Sequence, residues 1–342
     1  MAPGPTVSEN WRMSERENLI QDFLAKAGWG AARRGRLAGD ASFRHYDRLV
    51  LDGKPAVLMD APPPKEDVRP FVRIARHLRE MGLSAPALLA VDEENGLLLL
   101  EDLGDGTYTR LLEAGHDEPA LYRLATDVLA EIAARPDSVL AGTPPYDDEK
   151  LLTEACLLTD WYMPAISGHD TDAAVRAEYV EIWTRLFPVA RMVPDTLVLR
   201  DFHVDNLLLL DRPGLAACGL LDFQDAVIGP ATYDLMSLLE DARRDIDPVM
   251  IEIMKGRWLR RFPHLDRAVF EASWAVMAAQ RHAKVIGIFT RLCKRDGKFG
   301  YLIHIPRLWR LLEASCRHPV LAELSRWLDR HIPKASRGVP SP

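Results

Sequence analysis

Between residues 199 and 225 the chain reads L-R-D-F-H-V-D-N-L-L-L-L, then a short loop, then G-L-L-D-F-Q-D. Two apolar runs, 207–210 and 218–221, are too short for helices, and Asp211, Pro213 and Gly214 stand between them. That pattern predicts a β-hairpin. The hairpin in turn constrains the residues at its ends. Asn206 precedes the first strand and Asp222 follows the second, so antiparallel pairing sets the two side by side. Asp201 lies on the loop that feeds the first strand, five positions before Asn206. Three oxygen-bearing side chains are thereby expected at one edge of a small sheet.

Carboxylates crowded in this way repel one another unless a cation joins them. Magnesium suits such a set, because it prefers oxygen ligands and takes one or two carboxylates along with phosphates and water. The same set meets the needs of phosphoryl transfer: a carboxylate that accepts the proton of an attacking hydroxyl, and an amide and a second carboxylate that hold Mg2+ on nucleotide phosphates. On this reading Asp201 is the catalytic base, Asn206 and Asp222 are metal ligands, and ATP is the co-substrate. A single Asp-x-x-x-x-Asn is common by chance. Its union with a hairpin and a second acid is not.

The chain's 342 residues suffice for a sizeable core and two lobes. Net charge is −7, from 43 basic and 50 acidic residues, which argues against a nucleic-acid partner. No apolar run approaches the length of a membrane span, so no membrane partner is expected. The four cysteines are dispersed and form no C-x-x-C pair, as for buried thiols in a reducing compartment. The first residues carry no signal-peptide hydrophobic stretch. The expectation is a cytoplasmic protein with a disordered segment at 1–13 and Met13 as a candidate start.

Ser14 and Glu17 form a Ser-x-x-Glu capping box, which predicts a helix opening there, with Leu19, Ile20, Phe23 and Leu24 on one face. Residues 33–60 read as three strands with turns at 39–42 and 52–55, the second around Asp52-Gly53. A helix is predicted over 67–81, and a hairpin around Asn95-Gly96 leads into the apolar strand 97–100. From Glu101 onward the pattern is mainly helical. The fold class expected is α+β and bilobal: a small N-terminal lobe with an antiparallel sheet at 14–102, a larger, mainly helical C-terminal lobe at 103–333, and a flexible tail at 334–342.

Gly39, Asp40, Ala41 and Ser42 sit between two strands, where backbone N–H groups can lie over phosphates. The backbone of Glu101, Asp102 and Leu103, after a strongly apolar strand, is a candidate adenine contact. His203 lies inside the base loop, and its simplest reading is a loop histidine bonded to backbone. Asp234 is expected to bond back to that loop. The helix over 270–289 carries Gln280, Arg281, His282 and Lys284 in an apolar setting. Gln280 and Lys284 share a face at i and i+4, so this set is either a solvated face or the lining of a polar substrate pocket. Trp161 and Tyr162 either fill the core or stack on a sugar ring.

These residues resemble the aminoglycoside phosphotransferase family of small-molecule kinases. Members typically show H-G-D-x-H-x-x-N followed by an I-D-W/F-x-x-A strand end. Here Leu199 and Arg200 replace the first His and Gly, while Asp201, His203 and Asn206 are kept, and the second motif stands as Leu221-Asp222-Phe223-Gln224-Asp225-Ala226. The strings G-D-A-S-F-R (39–44), M-D-A-P-P (59–63), L-L-L-E-D-L-G (98–104) and Q-R-H-A-K-V-I-G-I-F (280–289) resemble bacterial cell-wall sugar kinases. The resemblance implies an amino-sugar substrate, N-acetylmuramate or N-acetylglucosamine, phosphorylated at the anomeric hydroxyl during peptidoglycan recycling. Beside that resemblance, His203, Gln280, Arg281, Lys284 and Trp161 are the candidate substrate-binding residues. One departure is the third strand, which ends Ala56-Val57-Leu58-Met59-Asp60 without the lysine that kinases use to hold phosphates. Arg44 and Lys65 are the candidates to supply that charge.

Overall fold

The Asp52-Gly53 turn sets the register of the N-terminal sheet. Both residues have positive φ, 50° and 76°, the backbone that a two-residue hairpin needs and that Asp-Gly supplies at little steric cost. The computed structural model describes residues 7–37 and 43–341. It divides into two compact units, residues 1–114 with 205–225, and 115–204 with 226–342.

In the first unit, helix α1 (Val7–Lys26) precedes strands β1 (Arg33–Arg36), β2 (His45–Leu51) and β3 (Lys54–Asp60). Helix α2 (Arg69–Glu80), strands β4 (Leu88–Asp92) and β5 (Leu97–Glu101), and helix α3 (Tyr108–Glu113) follow. The sheet order is β1-β2-β3-β5-β4, antiparallel throughout. Because side chains alternate along a strand, one face presents Leu49, Ala56, Leu58, Leu97 and Leu99 to Ile20, Phe23 and Leu24 of α1. The other face carries Tyr46, Arg48, Val57, Met59 and Leu100. The unbroken run of leucines in β5 is thus explained by a strand buried on both faces. Removing Phe23 from this core is expected to cost about 3–5 kcal/mol.

The helix expected to open at Ser14 begins at Val7 instead, so Ser14 stands inside the helix and not at its start. The Ser-x-x-Glu signature is purely local, and here the helix continues through it. The helix predicted over 67–81 is α2, and the predicted hairpin strands are Leu207–Leu209 and Cys218–Leu220. Isolated bridges Ser84–Gly219 and Thr107–Leu208 tie this hairpin to the rest of the first unit.

The second unit is mainly helical. Its helices are α4 (Glu118–Ala134), α5 (Asp148–Ala155), α6 (Met163–Ser167), α7 (Ala173–Ala190), α8 (Thr232–Leu239), α9 (Pro248–Leu259), α10 (Arg267–Asp296), α11 (Ile305–Ser315) and α12 (Ala322–His331). A two-stranded ribbon pairs Asp195–Val198 with Val227–Pro230. Helix α10 runs through the middle of this unit, with residues 273–287 buried along its whole circumference. At Gly287 a Cβ would meet the carbonyl carbon and oxygen of Leu157 at 2.3 Å, so only glycine lets α10 lie against the chain just after α5. No described helix is long and apolar enough to cross a membrane.

Candidate active site

The hairpin performs as its sequence dictates. Leu207 pairs with Leu220, and the Leu221 N–H donates to the Asn206 carbonyl at 3.0 Å, closing the end of the ladder. Asn206 Nδ2 then lies 3.4 Å from Asp222 Oδ2. Asp222 Oδ1 accepts from Gln224 Nε2 at 2.7 Å. Asp222 adopts φ 58°, a left-handed backbone that aspartate tolerates better than most residues. The next side chain, Phe223, is buried and stacks on Phe71 of α2 with ring centroids 4.8 Å apart. Asp222 is therefore clamped on one side by the ladder and on the other by an aromatic pair. Asp205, beside Asn206, accepts a hydrogen bond from Thr109 of α3.

Asn206 and Asp222 border a cavity of about 310 Å3 in the first unit. Its walls are the sheet face left free of α1, with Val57, Met59 and Leu100, together with Leu103 and Leu208. An apolar chamber with a few polar groups at one end is the usual form of a small-molecule site. Glu101, Asp102 and Leu103 all line it. The Glu101 side chain is bound to Arg212 and accepts the Ala87 N–H at 3.1 Å. Its own N–H donates to the Ala87 carbonyl, so Glu101 fixes the chain at this wall.

Arg48, which sequence reasoning missed, also lines the cavity. Its Nε lies 2.6 Å from Asp102 Oδ2, and its Nη1 donates to Asp105 Oδ2 at 2.8 Å. Strand alternation was the available signal, since Arg48 falls on the face of Tyr46, opposite Leu49.

The candidate phosphate loop, Gly39, Asp40, Ala41 and Ser42, lies outside the described residues. Just after it, Arg44 reaches into the site: Nη1 is 3.9 Å from Asp222 Oδ1 and Nε is 3.5 Å from Glu66 Oε2. Glu66 Oε1 also accepts the Phe43 N–H at 3.1 Å. Lys65, the other candidate, is exposed and sits 4.4 Å over the Phe43 ring. Asp60 at the end of β3 is 2.6 Å from Arg16 of α1.

The second unit carries Asp201, inside a cluster of buried charge. Asp234 of α8 accepts the backbone N–H groups of Leu199 at 2.6 Å and Arg200 at 3.0 Å, as expected of it. Arg281 Nη1 donates to the Arg200 carbonyl at 3.5 Å and to the Tyr233 hydroxyl at 3.3 Å. Lys284 Nζ lies 3.0 Å from Glu154 Oε1. Gln280 Nε2 donates to the Leu151 carbonyl at 3.0 Å and to Glu154 Oε2 at 3.4 Å. Glu154 also accepts from the Tyr146 hydroxyl and from Arg200.

The polar set on α10 is thus buried and its Gln280–Lys284 face converges on one carboxylate, Glu154. Sequence reasoning had not named Glu154. The signal was present: Glu154 lies three residues after Leu151 and directly before Ala155, on the inner stripe of α5.

Charge governs protonation here. Burial pushes the Asp201 carboxyl up, but Arg281 and Lys284, with help from Arg200, outweigh it and hold the group below the usual carboxylate range. Glu154 is likewise held low, because Lys284 and Arg200 overcome its burial. Asp234 goes the other way: burial pushes it up to about 7. Burial pushes His203 well below the usual histidine range, so it is uncharged at neutral pH. Trp161 is half-buried in a π-helical turn, Leu158–Tyr162, while its neighbour Tyr162 is fully buried and donates to the Gly338 carbonyl at 2.8 Å.

Among the described residues no group of three or more His, Cys, Asp or Glu side chains could hold a metal ion by itself. Asn206 and Asp222 nevertheless fit magnesium: their side chains are neighbours, and an amide oxygen and a carboxylate are hard ligands, few enough that phosphates and water complete the shell.

A family model, the phosphotransferase enzyme family (APH), matches residues 34–278. The chain belongs to that family and is a phosphotransferase. The N-acetylmuramate/N-acetylglucosamine kinase of Caulobacter vibrioides is 39% identical to it, over 95% of this chain and 99% of that one. The protein of the same name from Pseudomonas aeruginosa is 38% identical, over 91% and 93%. Among solved structures, choline kinase LicA from Streptococcus pneumoniae matches with TM-score 0.62 at 12% identity, covering 89% of this chain and all of that one. A GDP complex of aminoglycoside 2'-phosphotransferase-IIIa matches with TM-score 0.58 at 17% identity, covering 88% and 98%. These likenesses place the fold in the protein-kinase-like class.

Proposed function

We propose that the chain is an ATP- and Mg2+-dependent sugar kinase that phosphorylates N-acetylmuramate and N-acetylglucosamine at the anomeric hydroxyl. The observation that carries the kinase reading is the contact of Asn206 with Asp222 on the wall of an apolar cavity. The names of the relatives support the acceptor. Peptidoglycan recycling in the cytoplasm is the setting this reading implies.

Adenine packs against Val57, Met59 and Leu100 and meets the backbone of 101–103. Arg44, held by Glu66, lies beside Asp222 and supplies the positive charge that β3 lacks, and the segment 39–42 supplies backbone donors to the phosphates. Asn206 and Asp222 would hold magnesium, which when bound neutralises charge on the phosphates. Asp201, ionised throughout the physiological range, orients the sugar hydroxyl and takes its proton. A weakly basic carboxylate suits a loose transition state, in which the hydroxyl keeps its proton until late.

Gln280, Arg281, Lys284, His203 and Trp161 form the acceptor side in this reading. The cations in this set disfavour an aminoglycoside or choline-like acceptor and favour a neutral or anionic sugar, such as one bearing a lactyl carboxylate.

The test is incubation with ATP, magnesium and either sugar, followed by proton-coupled phosphorus NMR. The expected product shows a phosphorus signal split by the anomeric proton and is absent with Asp201→Asn. ATP binding without any sugar phosphate would overturn the acceptor assignment and leave the family intact.

A further inference from the structure

Position 200 carries an arginine in a backbone conformation that suits glycine. Its φ is 72°, in the left-handed region that side chains other than Asn and Asp seldom enter. The peptide is held there from separate helices. Asp234 of α8 binds the N–H groups of Leu199 and Arg200, and Arg281 of α10 binds the Arg200 carbonyl. The Asp201 N–H then turns back onto the Leu199 carbonyl at 3.0 Å. These contacts act on backbone and would serve a glycine equally well. The arginine side chain needs its own anchor. It runs inward to a side-chain exposure of 14%, lies 5.8 Å over the Tyr146 ring and ends on Glu154.

Glu154 is built to be that anchor. Its side chain is 11% exposed, and Tyr146, Gln280 and Lys284 fix it from three directions. Being a carboxylate, it has no attraction of its own for Asp201. The two are linked through cations, since Arg200 and Lys284 act on both. A displaced Glu154 would leave the Arg200 guanidinium buried without its counter-ion. The cheapest relief is for Arg200 to swing out and abandon the left-handed turn, which redirects the next residue, Asp201.

We infer that Glu154 is a positioning residue for Asp201: through the Arg200 guanidinium, it holds position 200 in the turn that sets the direction of the base. The inference rests on the reading of Asp201 as the base.

The test is a double-mutant cycle on steady-state kinetics with Glu154→Gln, Arg200→Gly and the pair. Glu154→Gln alone is expected to lower kcat at least about 10-fold while ATP KM stays within about 2-fold. In the Arg200→Gly background, where glycine takes the turn unaided, the same substitution is expected to cost at least about 5-fold less. An equal cost in both backgrounds would overturn the inference, because Glu154 would then act through Lys284 or through packing. A rise in ATP KM alone would also overturn it. If thermal melting shows that Glu154→Gln does not fold, Glu154→Asp in the same two backgrounds carries the comparison. Asp201→Asn, assayed alongside, separates the two readings: retained turnover there removes the base assignment and this inference with it, whereas lost turnover with an uncoupled cycle removes only the role of Glu154.

Discussion

Asp234 Oδ2 receives the Leu199 N–H at 2.6 Å and thereby ties helix α8 to the loop that carries Asp201. The carboxyl sits in full burial, which pushes it up to about 7 despite the two N–H donors and Arg281. The sign follows from linkage. In the unfolded chain the group ionises at about 3.9, whereas the fold resists ionisation until about 7, so its contribution is full below the first value and lost as pH rises through the second. Roughly three units correspond to at most about 4 kcal/mol. Asp234→Asn cannot ionise. The stability gap between it and the wild type should shrink by up to about that amount between pH 4 and 7.5, measured by urea unfolding. Glu154 titrates in both proteins and cancels, whereas the Asp201 charge raises Asp234 in the wild type alone and belongs to the same gap. A gap that stays constant with pH would show that Asp234 ionises in the fold as it does in the unfolded chain.

Asp201→Asn is expected to lower kcat by at least about 10²-fold with little change in ATP KM, because a positioned base contributes about that much and more. The pH profile carries a second check. The cations around Asp201 hold it below the usual carboxylate range, and burial keeps His203 uncharged at neutral pH. Wild-type kcat/KM should therefore show no acid limb near the ordinary histidine pKa of about 6.5. A limb there that vanished in His203→Gln would mean that His203 titrates during turnover.

Much of the site was legible because its grammar is local. The hairpin strands, the turn between them and the residues at their ends are all contained in 206–222, so pairing alone brings Asn206 to Asp222. Asp52-Gly53 fixed the β2–β3 hairpin for the same reason. What escaped was set by distant partners. Glu154 stands 46 residues before the arginine it binds, and Arg48 stands 54 before Asp102. Only packing decides such pairs, and each leaves just one trace in sequence: a charge where the periodicity calls for an apolar or inward-facing residue. Ser14 failed in the opposite direction, as a local signal that the longer helix overrode.

Arg44→Ala is expected to raise ATP KM about 10-fold, the equivalent of losing one charge-assisted contact to phosphate. Its guanidinium lies within 3.9 Å of Asp222 and leans on Glu66. Glu66→Gln should give a smaller increase, since it only steadies the arginine. Lys65→Ala should leave KM unchanged, because that ammonium rests on the Phe43 ring. The reverse order, with Lys65 dominant, would transfer the phosphate-holding role to Lys65.

Arg48 and Asp102 form the remaining test, at the cavity wall. The Asp102 side chain is 6% exposed, whereas Arg48 is 28% exposed. Removing the arginine strands a buried carboxylate, while removing both charges does not. Breaking a fully buried pair costs about 3–5 kcal/mol, and partial exposure of the cation lowers that here to about 2. Arg48→Ala should therefore destabilise the protein by about 2 kcal/mol in denaturant unfolding. Adding Asp102→Asn should recover at least half of the loss, since the amide needs no counter-ion. Nucleotide affinity separates stability from function. If Arg48 only shapes the wall through Asp102 and Asp105, the double variant recovers ATP binding as well as stability. If stability returns without ATP binding, Arg48 itself contacts the nucleotide.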